Sequence, residues 1–182
     1  MNKLTLNQII IYALSILILF AIPIYTIGTN DTTLKDGTEY LFKVEAFDPY
    51  DMFRGNYLNI RFKEDTVIGS SFELQNNNGR ECYVTIGVGL DGFAYFRSIS
   101  STEPKNTSNY YKTTGYYKKY AGQYIIDTPT RYYMNENKSL KAEQIYEENI
   151  DNTYVKVRVK NGKMVIVGVY VNNVLIDTID KK

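Results

Sequence analysis

The sequence predicts a mainly β domain, antiparallel and hairpin-rich with one short helix, preceded by a single N-terminal transmembrane helix. Three observations predict it: an uncharged run from Ile9 to Gly28, short segments of alternating apolar and polar residues after it, and Asp91-Gly92 and Asn161-Gly162 pairs placed between such segments. The chain of 182 residues divides into an anchor (1–28), a tether (29–37) and one β-rich domain (38–182). A domain of that length buries a core without disulfide or metal staples.

As an α-helix the Ile9–Gly28 run covers about 30 Å, the thickness of a hydrocarbon core. A secretory signal has a shorter apolar stretch, about 7–15 residues, ahead of a small-x-small cleavage site. Thr26-Ile27-Gly28 is a poor site of that kind, so the expectation is an uncleaved, single-pass anchor embedded in the lipid bilayer through residues 9–28. Tyr12 and Tyr25 fall toward its ends, where amphipathic rings favour the interface, and Pro23 lies near the outer end. Lys3 precedes the run, whereas Asp31, Lys35 and Asp36 follow it. That bias places the N-terminus inside and the C-terminal domain outside the cytoplasmic (inner) membrane. Gly28 to Gly37 is polar and turn-rich and reads as the tether.

Strand patterns follow. Tyr40, Phe42, Val44 and Ala46 alternate with polar positions, as do Leu58, Ile60 and Phe62 with Asn59, Arg61 and Lys63. Cys82, Val84, Ile86 and Val88 form another face, and the turn Gly89 to Gly92 leads into Phe93–Ile99 as a hairpin. Ser100 to Asn109 is a polar, exposed loop with one proline. The near-repeat from Tyr110 to Gly122 interleaves Tyr with Lys. It reads as one strand whose lysine stems lie over tyrosine rings; stacking on bases or sugars is the functional alternative. A helix is expected from Lys138 to Glu148, with Asn135 or Asn137 as cap and Leu140, Ile145 and Tyr146 as its apolar contacts. Tyr154–Lys160 and Lys163–Val171 flank Asn161-Gly162, the strongest short hairpin signal, and Asn172-Asn173 turns the chain into a strand at Val174–Ile176.

Composition excludes whole classes of chemistry. With no histidine, Ser-His-Asp and Cys-His nucleophile systems and the common zinc sites are impossible. Cys82 is the single cysteine, so no intrachain disulfide forms, and its apolar setting reads as a small buried hydrophobe. Lys+Arg 21 against Asp+Glu 20 gives no electrostatic basis for nucleic-acid binding. EF-hand spacing is absent, and no cofactor or metal is expected.

The most distinctive stretch runs from Asp48 to Phe62. Asp48 suits the cap of a short turn, Pro49 its first position, and Asp51 its positive end. Arg54 is spaced to pair with Asp48 or Asp51, and Gly55 to take a positive φ where the turn stops. These residues describe a rigid corner and no reaction.

This stretch resembles the GDYXXLXY-domain family of bacterial membrane-anchored proteins. Gly55 and Tyr57 match the name-giving motif; Asn56 stands where the family has Asp, Ile60 where it has Leu, and Phe62 where it has Tyr. Asp48-Pro49-x-Asp51-x-x-Arg54 is similar to the family's lead-in, and Arg131-Tyr132-Tyr133-x-x-Glu136 to a second family feature. Asn56 removes a carboxylate, so a hydrogen-bonding role survives there but a charged one does not. The resemblance covers nearly the whole chain and assigns no activity. It implies an extracytoplasmic interaction or accessory module standing beside a multi-spanning membrane protein.

The enzymatic alternative is a hydrolase at the membrane surface. Arg54-Gly55-Asn56-Tyr57 is similar to the Arg-Gly-Asp strand entry of type I signal peptidases, but neither the Ser-x-x-Pro box nor the lysine box of those enzymes is legible. Asp48, Asp51 and Glu136 would serve as a carboxylate set if the two motif regions meet; an ion-pair cluster with the arginines that fixes the corner is the simpler reading.

Overall fold

The computed structural model describes residues 5–45, 57–68, 79–118 and 122–179. Helix α1 spans Leu6–Asp36 and is long and apolar enough to cross a membrane. Its large apolar side chains described between Leu6 and Ile27 lie outside the core, each more than half exposed, including Leu19 at 68% and Tyr25 at 73%. A helix apolar all round is the kind found in a buried core or a membrane span.

Residues 29–36, expected as a turn-rich tether, continue the helix instead. Inside it, the Thr32 hydroxyl donates to the Gly28 carbonyl (2.8 Å) and the Thr33 hydroxyl to that of Thr29 (2.9 Å), while Lys35 pairs with Asp31 at 2.7 Å. From outside it, the Arg158 guanidinium donates to the carbonyls of Leu34 and Lys35. A cation satisfying the last carbonyls stabilises a helix C-terminus. The helix stops at Gly37, where a Cβ would meet the Thr33 carbonyl at 2.4 Å and Arg158 Cβ at 3.0 Å. Only glycine fits so close an approach.

The strands, in chain order, are β1 (Thr38–Glu45), β2 (Tyr57–Asn59), β3 (Arg61–Phe62), β4 (Thr66–Ile68), β5 (Cys82–Val88) and β6 (Ala94–Ser100). There follow β7 (Tyr110–Thr113), β8 (Gly115–Lys118), β9 (Gln123–Ile126), β10 (Arg131–Tyr133), β11 (Thr153–Lys160), β12 (Lys163–Val171) and β13 (Val174–Leu175). Helix α2 (Glu136–Glu148) follows β10. Among the described residues the main sheet has the order β13-β12-β11-β1-β3, with smaller sheets β4-β9-β8 and β6-β5-β7 and the pair β10-β2. The strand pairings are antiparallel.

Both expected hairpins form. Asn161 (φ 48°) and Gly162 (φ 81°) take the left-handed conformations of a type I′ turn between β11 and β12, whose right-handed twist it matches. Asn172 and Asn173 repeat the device into β13 (φ 51° and 67°). That strand ends one residue earlier than expected, because Ile176 opens a 3-10 turn.

The Tyr110–Gly122 near-repeat is two strands rather than one. The chain changes sheets at Thr114: β7 pairs with β5, and β8 with β9. At Gly115 a Cβ would meet the Ile125 carbonyl at 2.3 Å, so this crossing also needs glycine. Lys112 reaches Glu81 at 2.9 Å rather than covering a tyrosine ring.

Phe42, Phe62 and Phe96 meet at the centre of the core, with ring centroids 5.1, 5.1 and 6.4 Å apart. Val155, Val157 and Val159 from β11 and Val84 and Cys82 from β5 close around them. Burial pushes the Cys82 thiol up to about 11, with the Asp127 carboxylate adding to the rise, so the thiol is inert at neutral pH.

Because Phe62 joins three strands in one cluster, Phe62→Ala is expected to cost about 3–5 kcal/mol through lost contacts and the remaining cavity. Ile68→Ala, at a side chain 84% exposed, is expected to shift stability by less than about 0.5 kcal/mol. Urea unfolding of the full chain in detergent measures both; equal effects would remove Phe62 from its central place.

Candidate functional site

Successive side chains of a strand point to opposite sides. Leu58, Ile60 and Phe62 are buried (2%, 2% and 0% exposed), which puts Tyr57, Asn59 and Arg61 on the outer side. The motif strand also changes partners at Ile60. Before it, β2 pairs with β10; after it, β3 pairs with β1; at the joint the Ile60 amide donates to the Thr130 carbonyl at 2.8 Å.

This pairing brings together the two regions singled out in the sequence. Arg131 lies opposite Asn59, Tyr132 opposite Leu58 and Tyr133 opposite Tyr57. The Arg131 guanidinium sits over the Tyr57 ring, 5.0 Å from its centroid, and Tyr133 meets Tyr57 edge-on at 5.9 Å. The cation–π contact places the guanidinium over the ring with no acidic partner among the described residues, and edge-to-face packing joins the two rings. Tyr133 is nevertheless 69% exposed. The outer face of β2 and β10 is therefore a rigid surface of two tyrosines and an arginine open to solvent.

The inner side of β10 is tied down. The Tyr132 hydroxyl donates to Asp177 Oδ2 at 2.5 Å, and Lys138 Nζ from α2 donates to the Asp177 carbonyl at 2.6 Å. Burial, then the Asp177 carboxylate, raises the Tyr132 phenol above its ordinary value, so it stays protonated and donating. Asp177 Oδ1 is buried with no partner among the described residues. Tyr146 of α2 donates to the Glu45 carbonyl at 3.0 Å, and burial pushes that phenol up to about 12. Across β1 and β3, Arg61 Nε meets Glu45 Oε1 at 2.7 Å.

Beside this surface lies a cleft of about 270 Å³, bordered by Asn59, Arg61, Asp65, Asp127 and Thr130 over a floor of Ile60 and Ile126. The Asp127 carboxylate accepts the Thr114 hydroxyl, and its carbonyl accepts the hydroxyls of Thr113 (2.6 Å) and Tyr111 (3.1 Å). Asn59 and Arg61 belong both to the cleft and to the outer face of the motif strand. The cleft has room for about one side chain, with Ile60 and Ile126 among its apolar lining and Asn59, Arg61, Asp65 and Asp127 among its polar lining. No group of three or more His, Cys, Asp or Glu able to hold a metal occurs among the described residues.

Of the residues singled out from the sequence, Tyr57 and Arg131 are at the surface, and Ile60 and Phe62 serve the core. Tyr132 is an internal lock. Asp48, Pro49, Asp51, Arg54, Gly55 and Asn56 lie outside the described residues, as does the side chain of Glu136; the carboxylate set and the corner's ion pairs fall there. Sequence reasoning missed Tyr133 as a surface group, although strand parity opposite Tyr132 signals it. It also missed Asp177, which carries no local signal.

The family model described as GDYXXLXY protein matches residues 19–169. No curated protein matches the chain, and no solved structure does.

Tyr132→Phe strands a buried carboxylate oxygen and is expected to cost about 1–3 kcal/mol. Tyr133→Ala removes an exposed ring and is expected to cost less than about 1 kcal/mol. Parallel thermal melts of the full chain decide this, and a larger loss at Tyr133 would contradict the inside–outside assignment.

Proposed function

The chain belongs to the GDYXXLXY family, and on that premise we propose that it is a single-pass accessory module. Its domain stands outside the cytoplasmic membrane and binds a multi-spanning membrane protein. The observation that carries this reading is the exposed Arg131–Tyr57–Tyr133 surface, held rigid by stacking and by the Tyr132–Asp177 bond beneath it. Tyrosine and arginine dominate binding hot spots, because they offer large contact areas and lose little freedom when already held. The neighbouring cleft gives such a partner a place to insert a side chain.

The anchor reading is supported by α1, whose apolar surface has no protein partner. The helical continuation through Asp36 adds a mechanical consequence. Bonds from Arg158, Lys160 and Lys163 join the end of α1 to the β11–β12 hairpin, so the domain is held at a set angle to its anchor. A partner in the same membrane then meets the recognition surface in one orientation, which lowers the entropy lost on association.

A reporter active only outside the cytoplasm, fused after Lys182, is expected to be active, with the protein retained in membranes through a carbonate wash. An inactive reporter, or release by the wash, would overturn the topology.

Tyr133→Ala and Arg131→Ala are expected to reduce capture of a multi-spanning partner from mild detergent by at least about tenfold each while leaving the melting temperature of the chain nearly unchanged. Capture unaffected by both would overturn the recognition surface. Asp51→Asn or Glu136→Gln variants that fold and capture normally yet fail to complement a deletion strain would favour the hydrolase, since a general acid or base acts on the transition state far more than on folding.

A further inference from the structure

The end of α1 fixes which part of the domain lies nearest the apolar run. Thr29 is the first residue beyond Ile9–Gly28, and Lys163 Nζ donates to its hydroxyl at 2.5 Å. Lys160 pairs with Asp36 at 3.0 Å. The tip of the β11–β12 hairpin is thus within one lysine side chain of the run's end.

That tip carries a second segment with it. The Asn161 amide donates to the Ser108 carbonyl (2.9 Å) and the Gly162 amide to that of Tyr110 (3.1 Å), while the Lys112 amide donates to the Gly162 carbonyl (2.8 Å). The Thr38 hydroxyl reaches Asn109 Oδ1 at 2.8 Å. The loop from Ser101 to Asn109 is therefore seated on the hairpin tip, beside the start of β1. Loop and tip enclose an open hollow of about 630 Å³ bordered by Lys105, Asn106, Thr107, Ser108 and Asn161. Its border is polar: Lys105, Asn106, Thr107 and Ser108 are exposed, while the Glu103 carboxylate is engaged by the Tyr110 hydroxyl.

Resting on the anchor reading of α1, we propose that this loop and hairpin tip are a bilayer contact that binds phospholipid headgroups. A headgroup layer is roughly 5–8 Å thick on each side of the hydrocarbon, so a segment one side chain away from the end of the apolar run lies within it. Phosphate oxygens are acceptors for what the hollow offers, the Lys105 ammonium and the Asn and Ser/Thr donors. The loop carries no large aliphatic or aromatic residue between Ser101 and Asn109, so it lies on the surface and does not insert. The contact gives the domain a second attachment besides α1.

The test uses the full chain in nanodiscs of phosphatidylglycerol and phosphatidylethanolamine, with a fluorophore on a single introduced cysteine. Cys82 is buried, with its thiol pushed up to about 11, so labelling at neutral pH is confined to the new thiol. The sites are Asn106→Cys in the loop, Leu90→Cys on the β5–β6 hairpin, and Ile18→Cys in α1. Leu90 is the distant control: its neighbour Asp91 pairs with Lys43, which is roughly 16 Å along β1 from Thr38. Headgroup spin-labelled lipid is expected to quench the label at position 106 at least about threefold more than at position 90, in keeping with the thickness of the polar layer. Equal, weak quenching at positions 106 and 90, with strong quenching at position 18 by chain-labelled lipid, would overturn the contact and leave the anchor standing. Absence of quenching at position 18 would overturn the anchor and the contact together.

Discussion

Burying Ile60 and Phe62 in one extended strand forces Tyr57, Asn59 and Arg61 to the opposite side, and the arrangement of the rest follows from that parity. Phe62 meets Phe42 and Phe96, which ties β3 and β1 to the β5–β6 hairpin. Tyr57 meets Tyr133 and Arg131 on the other side. A slip of one residue would carry Phe62 into water and Tyr57 into the core, so the core holds the exposed tyrosine face in register. The same strand is anchored by one face and leaves the other toward solvent.

The junction between helix and domain rests on a different interaction. The last carbonyls of α1 would be unsatisfied if the helix simply ended in solvent-facing chain, and Arg158 from the central strand of the main sheet supplies donors to two of them. Lys160 and Lys163 add contacts to Asp36 and Thr29. Arg158 and Lys160 thus place two cations of one hairpin at the helix C-terminus, where positive charge is favoured, while Lys163 reaches two turns further back. These bonds join the end of the helix directly to the main sheet, and the proposed presentation of the tyrosine surface and the proposed bilayer contact both rest on that junction.

Charge contributes position more than stability. Lys43–Asp91 and Lys156–Glu39 are ion pairs at substantially exposed side chains, the kind that adds little to folding free energy. Their ammonium groups also lie over rings, Lys43 Nζ 4.9 Å from the Phe93 centroid and Lys156 Nζ 5.1 Å from that of Tyr170. Tyr170 in turn stacks on Tyr154 with centroids 5.3 Å apart. Other tyrosines turn inward: Tyr124 and Tyr146 are buried, and the hydroxyls of Tyr111, Tyr132 and Tyr146 donate to protein oxygens.

The sequence by itself determined what is local: the apolar run, the strand alternation at Phe42 and Phe62, the hairpin at Asn161-Gly162, the helix expected over Lys138–Glu148, which starts two residues earlier at Glu136, and the inert Cys82. Each depends on neighbours a few residues away, where period and turn chemistry are written directly in residue order. Tertiary structure alone decided that residues 29–36 are helical, because the donor that completes their last turn is Arg158, more than 120 positions later. It decided that the chain changes sheets at Thr114, because β5 and β9 compete for its two halves. It decided that Tyr132 is a lock and Tyr133 a surface, because Asp177 lies beneath one and solvent beyond the other. Hydrogen-bond partners brought together by folding leave no period in the sequence, and only the packed chain reveals which polar group each one satisfies.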